Sequence, residues 1–168
     1  IGICAWPFYN GVGRWFALDR EQTAIFIGHR DCVALKPQRL EDAIIKHMEQ
    51  GVRLFLAGEM GRYDEMCASV VHRLKQLYPG TRSELVIPYP SFNIRNPDLY
   101  DSILFPEELE GLYYKAAIPA RNKYLVQHAG YAICYVEHSW GGAAQTLRMA
   151  QKAGMIITNL GDVYAQSL

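Results

Sequence analysis

The segment 131–146, YAICYVEHSWGGAAQT, passes from a run of apolar residues through a pair of glycines into a helix-like sequence. Residues 131–136 are continuously apolar, as in a strand that is buried on both faces of a parallel sheet. Gly141 and Gly142 then allow the backbone to turn and to approach a bound group closely. Residues 143–153 are predicted to form a helix whose first N–H groups point into that turn. The unit therefore predicts either a binding site for an anion such as phosphate or only a tight connection between strand and helix.

The rest of the chain repeats this alternation of strand and helix. Strands are predicted at residues 23–27, 52–57, 85–87, 131–136 and 155–160, and helices at 37–50, 63–78, 118–128 and 143–153. In the second helix, the apolar residues at helical spacing are Met66, Val70, Leu74 and Leu77. Five strands that alternate with helices predict an α/β chain with a three-layer, Rossmann-like fold and a mostly parallel sheet.

The segment 88–110 interrupts the alternation with several prolines and aromatic residues. It is predicted to be a long loop or a lid with little regular structure. The aromatic residues of this insertion and of the stretch that follows it are Tyr89, Phe92, Tyr100, Phe105, Tyr113 and Tyr114. They either close over a ligand or form a contact between subunits, and the sequence favours neither alternative.

The length and composition favour one domain. With 168 residues, of which 50% are hydrophobic, the chain can bury one sizeable core. We assign residues 23–168 to this domain and residues 1–22 to a poorly specified N-terminal extension. The extension lacks the basic start and the continuous apolar core of a signal peptide. No run reaches the roughly 18 apolar residues of a membrane-spanning helix, so no membrane partner is predicted.

The four cysteines predict free thiols. They are Cys4, Cys32, Cys67 and Cys134, and they lie far apart without a C-x-x-C pair. Free thiols persist in a reducing compartment, so we expect the protein to be cytoplasmic. The histidines considered as metal ligands are His47, His72, His128 and His138, and they lack the spacing of such ligands. No metal site and no cofactor are therefore predicted.

The charge balance argues against a polyanion as the main partner. Lys and Arg together number 17, as do Asp and Glu, so the formal net charge is zero. Binding to a phosphate backbone needs clustered Lys and Arg side chains. Nucleic acid is therefore not expected as the main partner, although a local basic patch is compatible with this balance.

Glycines follow three of the predicted strands. Gly28 follows the first strand, Gly58 and Gly61 follow the second, and the pair Gly141 and Gly142 follows the fourth. In an open α/β sheet, ligands bind beyond the carboxyl ends of the strands. Three glycine turns at that edge predict a small ligand that carries a phosphate. The chain has no Walker-type G-x-x-x-x-G-K-[ST] and no G-x-G-x-x-G after the first strand, which argues against a P-loop NTPase or an ordinary NAD dehydrogenase.

Four side chains beside these turns have two alternative roles each. Arg30 either holds a phosphate in a bidentate geometry or forms a surface ion pair. His29 either transfers protons near neutral pH or is a hydrogen-bonded turn residue. Ser139 either binds a phosphate or caps the following helix. Trp140 either stacks on a base or packs over the turn.

Two acidic residues, Glu59 and Asp64, follow the second strand. Because like charges repel, Glu59 suits a ribose hydroxyl or a base edge better than a phosphate. Asp64 suits a structural role in capping or orienting the start of the second helix. Both are also weak candidates for a general acid or base.

Five segments, in order, resemble the bacterial SLOG domains of the YpsA-like kind. They are FIGHR (26–30), GEMGRYD (58–64), YDSILFPEELE (100–110), ARN (120–122) and YAICYVEHSWGGA (131–143), and the resemblance covers about residues 23–160. SLOG domains form a Rossmann-like superfamily that includes the LOG phosphoribohydrolases and DprA, and many members bind nucleotides or nucleotide-derived ligands. The resemblance implies a nucleotide pocket. It also implies that Arg121 and Asn122 either belong to the pocket or serve only the fold.

The glycine turn departs from the LOG motif Pro-Gly-Gly-x-Gly-Thr-x-x-Glu, whose glutamate assists cleavage of an N-glycosidic bond. Aligned on the paired glycines, the chain has Ala144, Gln145 and Arg148 where the motif has its third glycine, its threonine and its glutamate. The resemblance therefore implies binding and withholds support for that catalysis.

The first functional hypothesis is a sensor or binding module for a nucleotide or nucleotide derivative. Its predicted ligand-binding residues are Gly28, His29, Arg30, Gly58, Glu59, Gly61, Arg121, Asn122, Ser139, Trp140, Gly141, Gly142 and Ala143. The second is a nucleotide-processing enzyme of the N-glycosidase or phosphoribohydrolase kind, with Glu59 or Asp64 as acid or base. A third follows DprA and is single-stranded DNA binding, against which the zero net charge argues. A homo-oligomer is compatible with all three.

Overall fold

The structure is a computed structural model that describes residues 19–161. Residues 1–18, most of the predicted N-terminal extension, and residues 162–168 lie outside the described residues. Arg20–Gln22 form a 3-10 turn that contacts the body of the domain. The Arg20 carbonyl accepts a hydrogen bond from the Gly130 N–H at 2.8 Å, and the Arg20 guanidinium donates to the Ala129 carbonyl at 3.2 Å.

The predicted Rossmann-like α/β fold with a parallel sheet is confirmed. The strands are β1 (Thr23–Gly28), β2 (Leu54–Ala57), β3 (Arg82–Val86), β4 (Ser102–Leu104), β5 (Tyr131–Tyr135) and β6 (Ile156–Asn159). Every neighbouring pair is parallel, in the order β4-β3-β2-β1-β5-β6. The chain therefore leaves β1 in one direction to form β2, β3 and β4, and returns to the other side of β1 to form β5 and β6.

The sheet has six strands where five were predicted. The additional strand is β4, which lies within the segment that was predicted to lack regular structure. It pairs with β3 from Glu84↔Ser102 to Val86↔Leu104. The Asp101 carboxylate fixes its start by accepting hydrogen bonds from the Ser83 N–H at 2.8 Å and from the Lys75 ammonium at 2.6 Å. An edge strand of three half-buried residues is too short to give a recognisable alternation.

Four helices cover the two faces of the sheet. They are α1 (Pro37–Glu49), α2 (Arg62–Leu74), α3 (Tyr114–Gln127) and α4 (Gly141–Lys152). Buried side chains of α1 and α2 form one hydrophobic cluster on the sheet, and those of α3 and α4 form a second cluster. Helix α3 begins at Tyr114, earlier than the predicted residue 118. It continues through Pro119, although proline normally marks the first turn of a helix.

The four apolar residues at helical spacing in the second predicted helix are not all buried in the structure. The buried apolar side chains of α2 are Tyr63, Cys67, Ala68, Val71 and Leu74. Met66 and Val70 are half-buried, and Leu77 is 71% exposed. Two apolar stripes with helical spacing run along this segment, and spacing alone does not separate them. Because α2 ends at Leu74, Leu77 falls in a 3-10 turn, where it leaves the stripe.

The aromatic residues of the segment 88–110 pack on the domain. Tyr100 is 8% exposed, and Phe92 and Phe105 are partly buried against the cluster beneath α1 and α2. Tyr89 contacts Phe92 edge to face, with ring centroids 5.8 Å apart. These residues therefore form part of the core and its rim, and they do not form a lid over the cleft described below.

Tyr63 fills the space beside Gly28 at the carboxyl end of β1. Its hydroxyl donates a hydrogen bond to the Ile133 carbonyl of β5 at 2.8 Å, and the side chain is fully buried. A Cβ atom on Gly28 would lie 2.0 Å from Cδ1 of the Tyr63 ring. The glycine is therefore required for the close approach of α2 to the central strand.

We predict that Gly28→Ala destabilises the protein because the added methyl group displaces the Tyr63 ring. Overpacking of this kind costs about 1–3 kcal/mol of the free energy of unfolding. Gly142→Ala is the matched control: no atom lies within 4 Å of a Cβ at Gly142, and the expected change is within about 0.5 kcal/mol. Urea denaturation measures both values. Equal stability of Gly28→Ala and wild type would contradict the packing described.

Candidate functional site

An open cleft of about 500 Å³ lies at the carboxyl edge of the sheet. It opens where β1 separates β2 on one side from β5 on the other, the position at which open α/β sheets bind ligands. Sequence-predicted residues that line it are Gly28, His29, Arg30, Gly58, Asp64, Arg121, Asn122, Trp140, Gly141, Gly142 and Ala143. Lining residues that sequence reasoning missed include Asp31, Met60, Ile118, His138 and Thr146. Glu59, Gly61 and Ser139 do not line it.

The start of α4 presents its backbone N–H groups to the cleft. Trp140 precedes the helix, and no side chain forms a capping hydrogen bond there. The first N–H groups of a helix have no intrahelical partner, and the helix dipole adds a partial positive charge at the same place. Gly141, with φ of 90°, and Gly142, with no atom near the position of a Cβ, leave this end of the helix open. The arrangement suits an anion.

Three aromatic rings form a continuous stack at the rim of the cleft. The rings of His29 and His138 lie with their centroids 3.7 Å apart at an interplanar angle of 14°. The rings of His138 and Trp140 are also 3.7 Å apart, at 16°. Trp140 ends the stack and is 68% exposed. Trp140 thus stacks on His138 of the turn, and most of its indole is exposed.

His29 is held as a neutral ring. Its Nε2 accepts a hydrogen bond from the Glu137 N–H at 3.0 Å, which places the ring proton on Nδ1. Burial and the neighbouring His138 lower the pKa of His29, and the Glu137 carboxylate opposes them. His29 is thus hydrogen-bonded within the turn, and a role in proton transfer stays a prediction.

Arg121 supports the wall of the cleft from inside the protein. Its side chain is almost fully buried, and Nη1 donates to the carbonyls of Gly58 at 3.0 Å and of Val86 at 2.8 Å. Nε donates to Oδ1 of Asn122 at 3.0 Å, so the orientation of this amide is fixed. Burial lowers the pKa of Arg121 to about 10, which leaves the guanidinium charged at neutral pH.

The glycines after β2 allow two close approaches. A Cβ on Gly58 would lie 2.9 Å from the guanidinium carbon of Arg121, and a Cβ on Gly61 would lie 2.7 Å from Cα of Arg30. Gly61 therefore brings α2 against the turn after β1 without reaching the cleft. Arg30 is exposed, lines the cleft, and makes no ion pair with any residue between 19 and 161.

Glu59 anchors the segment that follows β3. Its carboxylate accepts hydrogen bonds from the N–H groups of Arg95 at 3.3 Å and of Asn96 at 2.9 Å. The residue is 3% exposed and has φ of 49°, a backbone conformation that costs energy outside glycine. The strained turn directs the carboxylate at this segment, and Glu59 is absent from the cleft wall.

Asp64 is the acidic candidate that reaches the cleft wall. Its carboxylate accepts a hydrogen bond from the Met60 N–H at 3.0 Å, which orients the turn before α2, although no side chain caps that helix. Burial raises the pKa of Asp64 to about 6, although hydrogen bonds from the backbone and the positive charge of Arg121 oppose that effect. The pKa of Asp64 therefore lies close to neutral pH.

Ser139 lies outside the cleft, and its side chain does not cap α4. It is exposed, and its carbonyl accepts a hydrogen bond from Nη1 of Arg148 at 2.9 Å. Arg148 thus supports the turn from the outside.

Four further features of residues 19–161 concern metal ions, membranes, cysteines and a second cleft. In that range, no group of three His, Cys, Asp or Glu side chains is arranged to hold a metal ion. No helix in the same range is both long and apolar enough to cross a bilayer. Cys32, Cys67 and Cys134 are free and buried, and Cys4 lies outside the described residues. A second cleft, of about 490 Å³, lies between α1 and α2 beside Leu99 and contains none of the predicted site residues.

Two solved structures of DNA processing protein A (DprA) are similar to this chain. The structure from Streptococcus pneumoniae has a TM-score of 0.58 and 18% sequence identity over 86% of this chain. The structure from Helicobacter pylori, described in terms of its single-stranded DNA binding mode, has a TM-score of 0.59 and 13% identity over 83% of this chain. The chain has the Rossmann-like fold of DprA.

The match to DprA extends to only part of that protein. This chain corresponds to 53% of the Streptococcus pneumoniae protein and 65% of the Helicobacter pylori protein. No protein-family model and no curated protein sequence matches the chain. The likeness to DprA shows the fold alone, and the assignments to the SLOG superfamily and to its YpsA-like branch stay predictions.

We predict that acidification weakens the contribution of His29 to stability. In the unfolded chain His29 titrates near its ordinary pKa of about 6.5, whereas in the folded chain its pKa is lower. The unfolded state therefore binds more protons in this range, and stability falls as the pH drops through about 6.5. Protonation also removes the acceptor for the Glu137 N–H.

His29→Gln provides the comparison, because its amide oxygen can accept the same hydrogen bond without titrating. The stability of wild type relative to His29→Gln, measured by urea denaturation, is expected to be smaller at pH 5.5 than at pH 7.5. His47 and Asp64, whose pKa values are also shifted, are present in both proteins and cancel in the difference. An unchanged difference between the two pH values would argue against a neutral His29.

Proposed function

We propose that the cleft binds a nucleotide or nucleotide derivative and that the protein acts as a sensor or binding module. The observation that carries this proposal is the adjacency of two binding features. Trp140 exposes its ring immediately before α4, and Gly141, Gly142 and Ala143 line the same cleft at the uncapped start of that helix. An aromatic face suits a base, and the open helix start suits the phosphate of the same molecule.

The charges of the cleft support a small anionic ligand of this kind. Arg30 contributes an exposed guanidinium without an ion-pair partner among residues 19–161, and Arg121 contributes a buried one. Asp31 and Asp64 oppose them, so the side chains alone give no large positive field. The partial charge of the α4 start therefore decides where the phosphate binds, and Arg30 is expected to strengthen that binding.

Calorimetric titration with AMP, GMP, CMP, UMP and NAD tests this proposal. Trp140→Ala is expected to weaken binding by about 5- to 150-fold, because stacking on a base contributes about 1–3 kcal/mol. Gly142→Val places a branched side chain at the helix start in space that is otherwise empty, so a loss of at least tenfold is expected without unfolding.

Ser139→Ala is the matched control, since Ser139 is exposed beside the turn but does not line the cleft. Its affinity is expected to equal that of wild type within about twofold. If none of the nucleotides binds wild type, or if Gly142→Val binds as tightly as wild type, the proposal is wrong.

Chromatography of the same mixtures for released base tests the enzyme alternative. Asp64→Asn is the informative variant there, because Asp64 reaches the cleft wall and Glu59 does not.

Single-stranded DNA binding is the second candidate function, and the likeness to Helicobacter pylori DprA favours it. A strand offers the same base and phosphate to the Trp140 platform and the α4 start. Fluorescence anisotropy with a labelled 20-nucleotide poly(dT) measures it. If the strand binds mainly through phosphates, its affinity falls steeply between 50 and 200 mM salt. If poly(dT) binds weakly and with little dependence on salt while a mononucleotide binds tightly, the single-stranded DNA function is rejected and the nucleotide-binding function is retained.

A further inference from the structure

An exposed pair of aromatic rings stands at the start of α3. Tyr113 is 63% exposed and Tyr114 is 55% exposed, and their ring centroids lie 4.7 Å apart at an interplanar angle of 61°. Leu112 beside them is 41% exposed. A contiguous group of large exposed side chains on a domain of this size is a common mark of a binding surface. None of these residues lines the cleft.

The topology places this pair at the same edge of the sheet as the cleft. Helix α3 connects β4 to the parallel strand β5, so it runs back across the sheet and begins at the carboxyl edge. Tyr114, Ile118 and Arg121 are spaced i, i+4 and i+7, which puts them on one face of α3. Ile118 and Arg121 line the cleft, so Tyr114 lies one helical turn, about 5.4 Å, further out along the same wall.

The two aromatic platforms therefore flank the cleft. One is the His29, His138 and Trp140 stack at the start of α4, and the other is the Tyr113–Tyr114 pair at the start of the neighbouring helix α3. The open start of α4 adjoins the first platform, and the ammonium group of Lys115 lies 6.0 Å from the centre of the Tyr114 ring at the second. Each platform thus has a positive group beside it.

We propose that the ligand carries two bases joined through phosphate, with one base on Trp140 and the second on the Tyr113–Tyr114 pair. This inference rests on the proposed nucleotide function and specifies its substrate class as a dinucleotide unit. The ring faces suit bases of any sequence, because stacking uses the π-face that all bases share. The α4 start suits the terminal 5′-phosphate of the nucleotide on Trp140, and Lys115 suits the phosphate that joins it to the nucleotide on the tyrosine pair.

A free dinucleotide and two successive nucleotides of a single strand present the same chemistry, and the experiment separates them. Calorimetry compares AMP, the dinucleotide pdApdA and the decamer (dA)10 as ligands of wild type. The test variant is Tyr113→Ala/Tyr114→Ala. The control is Leu77→Ala, which removes an exposed apolar side chain from a distant 3-10 turn. Circular dichroism confirms that both variants are folded.

The inference predicts that pdApdA binds wild type more tightly than AMP does. The double tyrosine variant is expected to lose about 5- to 100-fold in affinity for pdApdA, the effect of one lost stacking site, and to retain its affinity for AMP within about twofold. Leu77→Ala should match wild type with every ligand. If the natural ligand is a free dinucleotide, (dA)10 should bind no more tightly than pdApdA. If it is a single strand, (dA)10 should bind more tightly than pdApdA. Both outcomes support two base sites.

Other outcomes overturn the inference. If AMP and pdApdA bind equally and the tyrosine variant changes neither affinity, the second base site does not exist and the nucleotide function stands. If wild type binds none of the three ligands, the nucleotide function fails, and the inference fails with it. If sedimentation velocity shows a dimer that the tyrosine variant dissociates while the affinity for pdApdA is unchanged, the pair is a subunit contact.

Discussion

The cleft depends on one buried guanidinium. Arg121 of α3 binds the carbonyls of Gly58 after β2 and of Val86 at the end of β3, and it fixes the amide of Asn122. A buried carbonyl that is left without a hydrogen-bond partner costs about 1–3 kcal/mol. The positive charge has no carboxylate in contact among the described residues, so these carbonyl dipoles and the more distant Asp64 compensate its burial. Arg121 thereby ties α3 to the carboxyl edge of the sheet and sets one wall of the cleft.

The opposite wall depends on backbone geometry and stacked rings. The turn from β5 into α4 leaves the first N–H groups of the helix uncapped, and the rings of His29, His138 and Trp140 support that turn from the side. A neutral His29 matters for this support, because two protonated imidazoles at this separation would repel each other. Arg148 holds the same turn through the Ser139 carbonyl. Arg148 thus has a structural role at this turn.

The sequence predicted the parts of the fold and site that follow from local patterns. Continuous apolar runs located β1, β2 and β5, and glycines at strand ends located the cleft, because the strands of a parallel sheet end at a common edge. The stack of His29 on His138 depends on residues far apart in the chain, although the i, i+2 spacing of His138 and Trp140 in an extended segment was a usable signal. Glu59 anchors a segment more than thirty residues later in the chain, and no local sequence pattern predicts this role.

The central claim is that the start of α4 and the indole of Trp140 together receive a nucleotide. Amide chemical shifts of ¹⁵N-labelled protein, followed during titration with AMP, test it most directly. The account predicts that the largest shifts occur at the N–H groups of Gly141, Gly142 and Ala143 and at Nε1–H of Trp140. Shifts confined to the second cleft between α1 and α2, with none at these four groups, would contradict it.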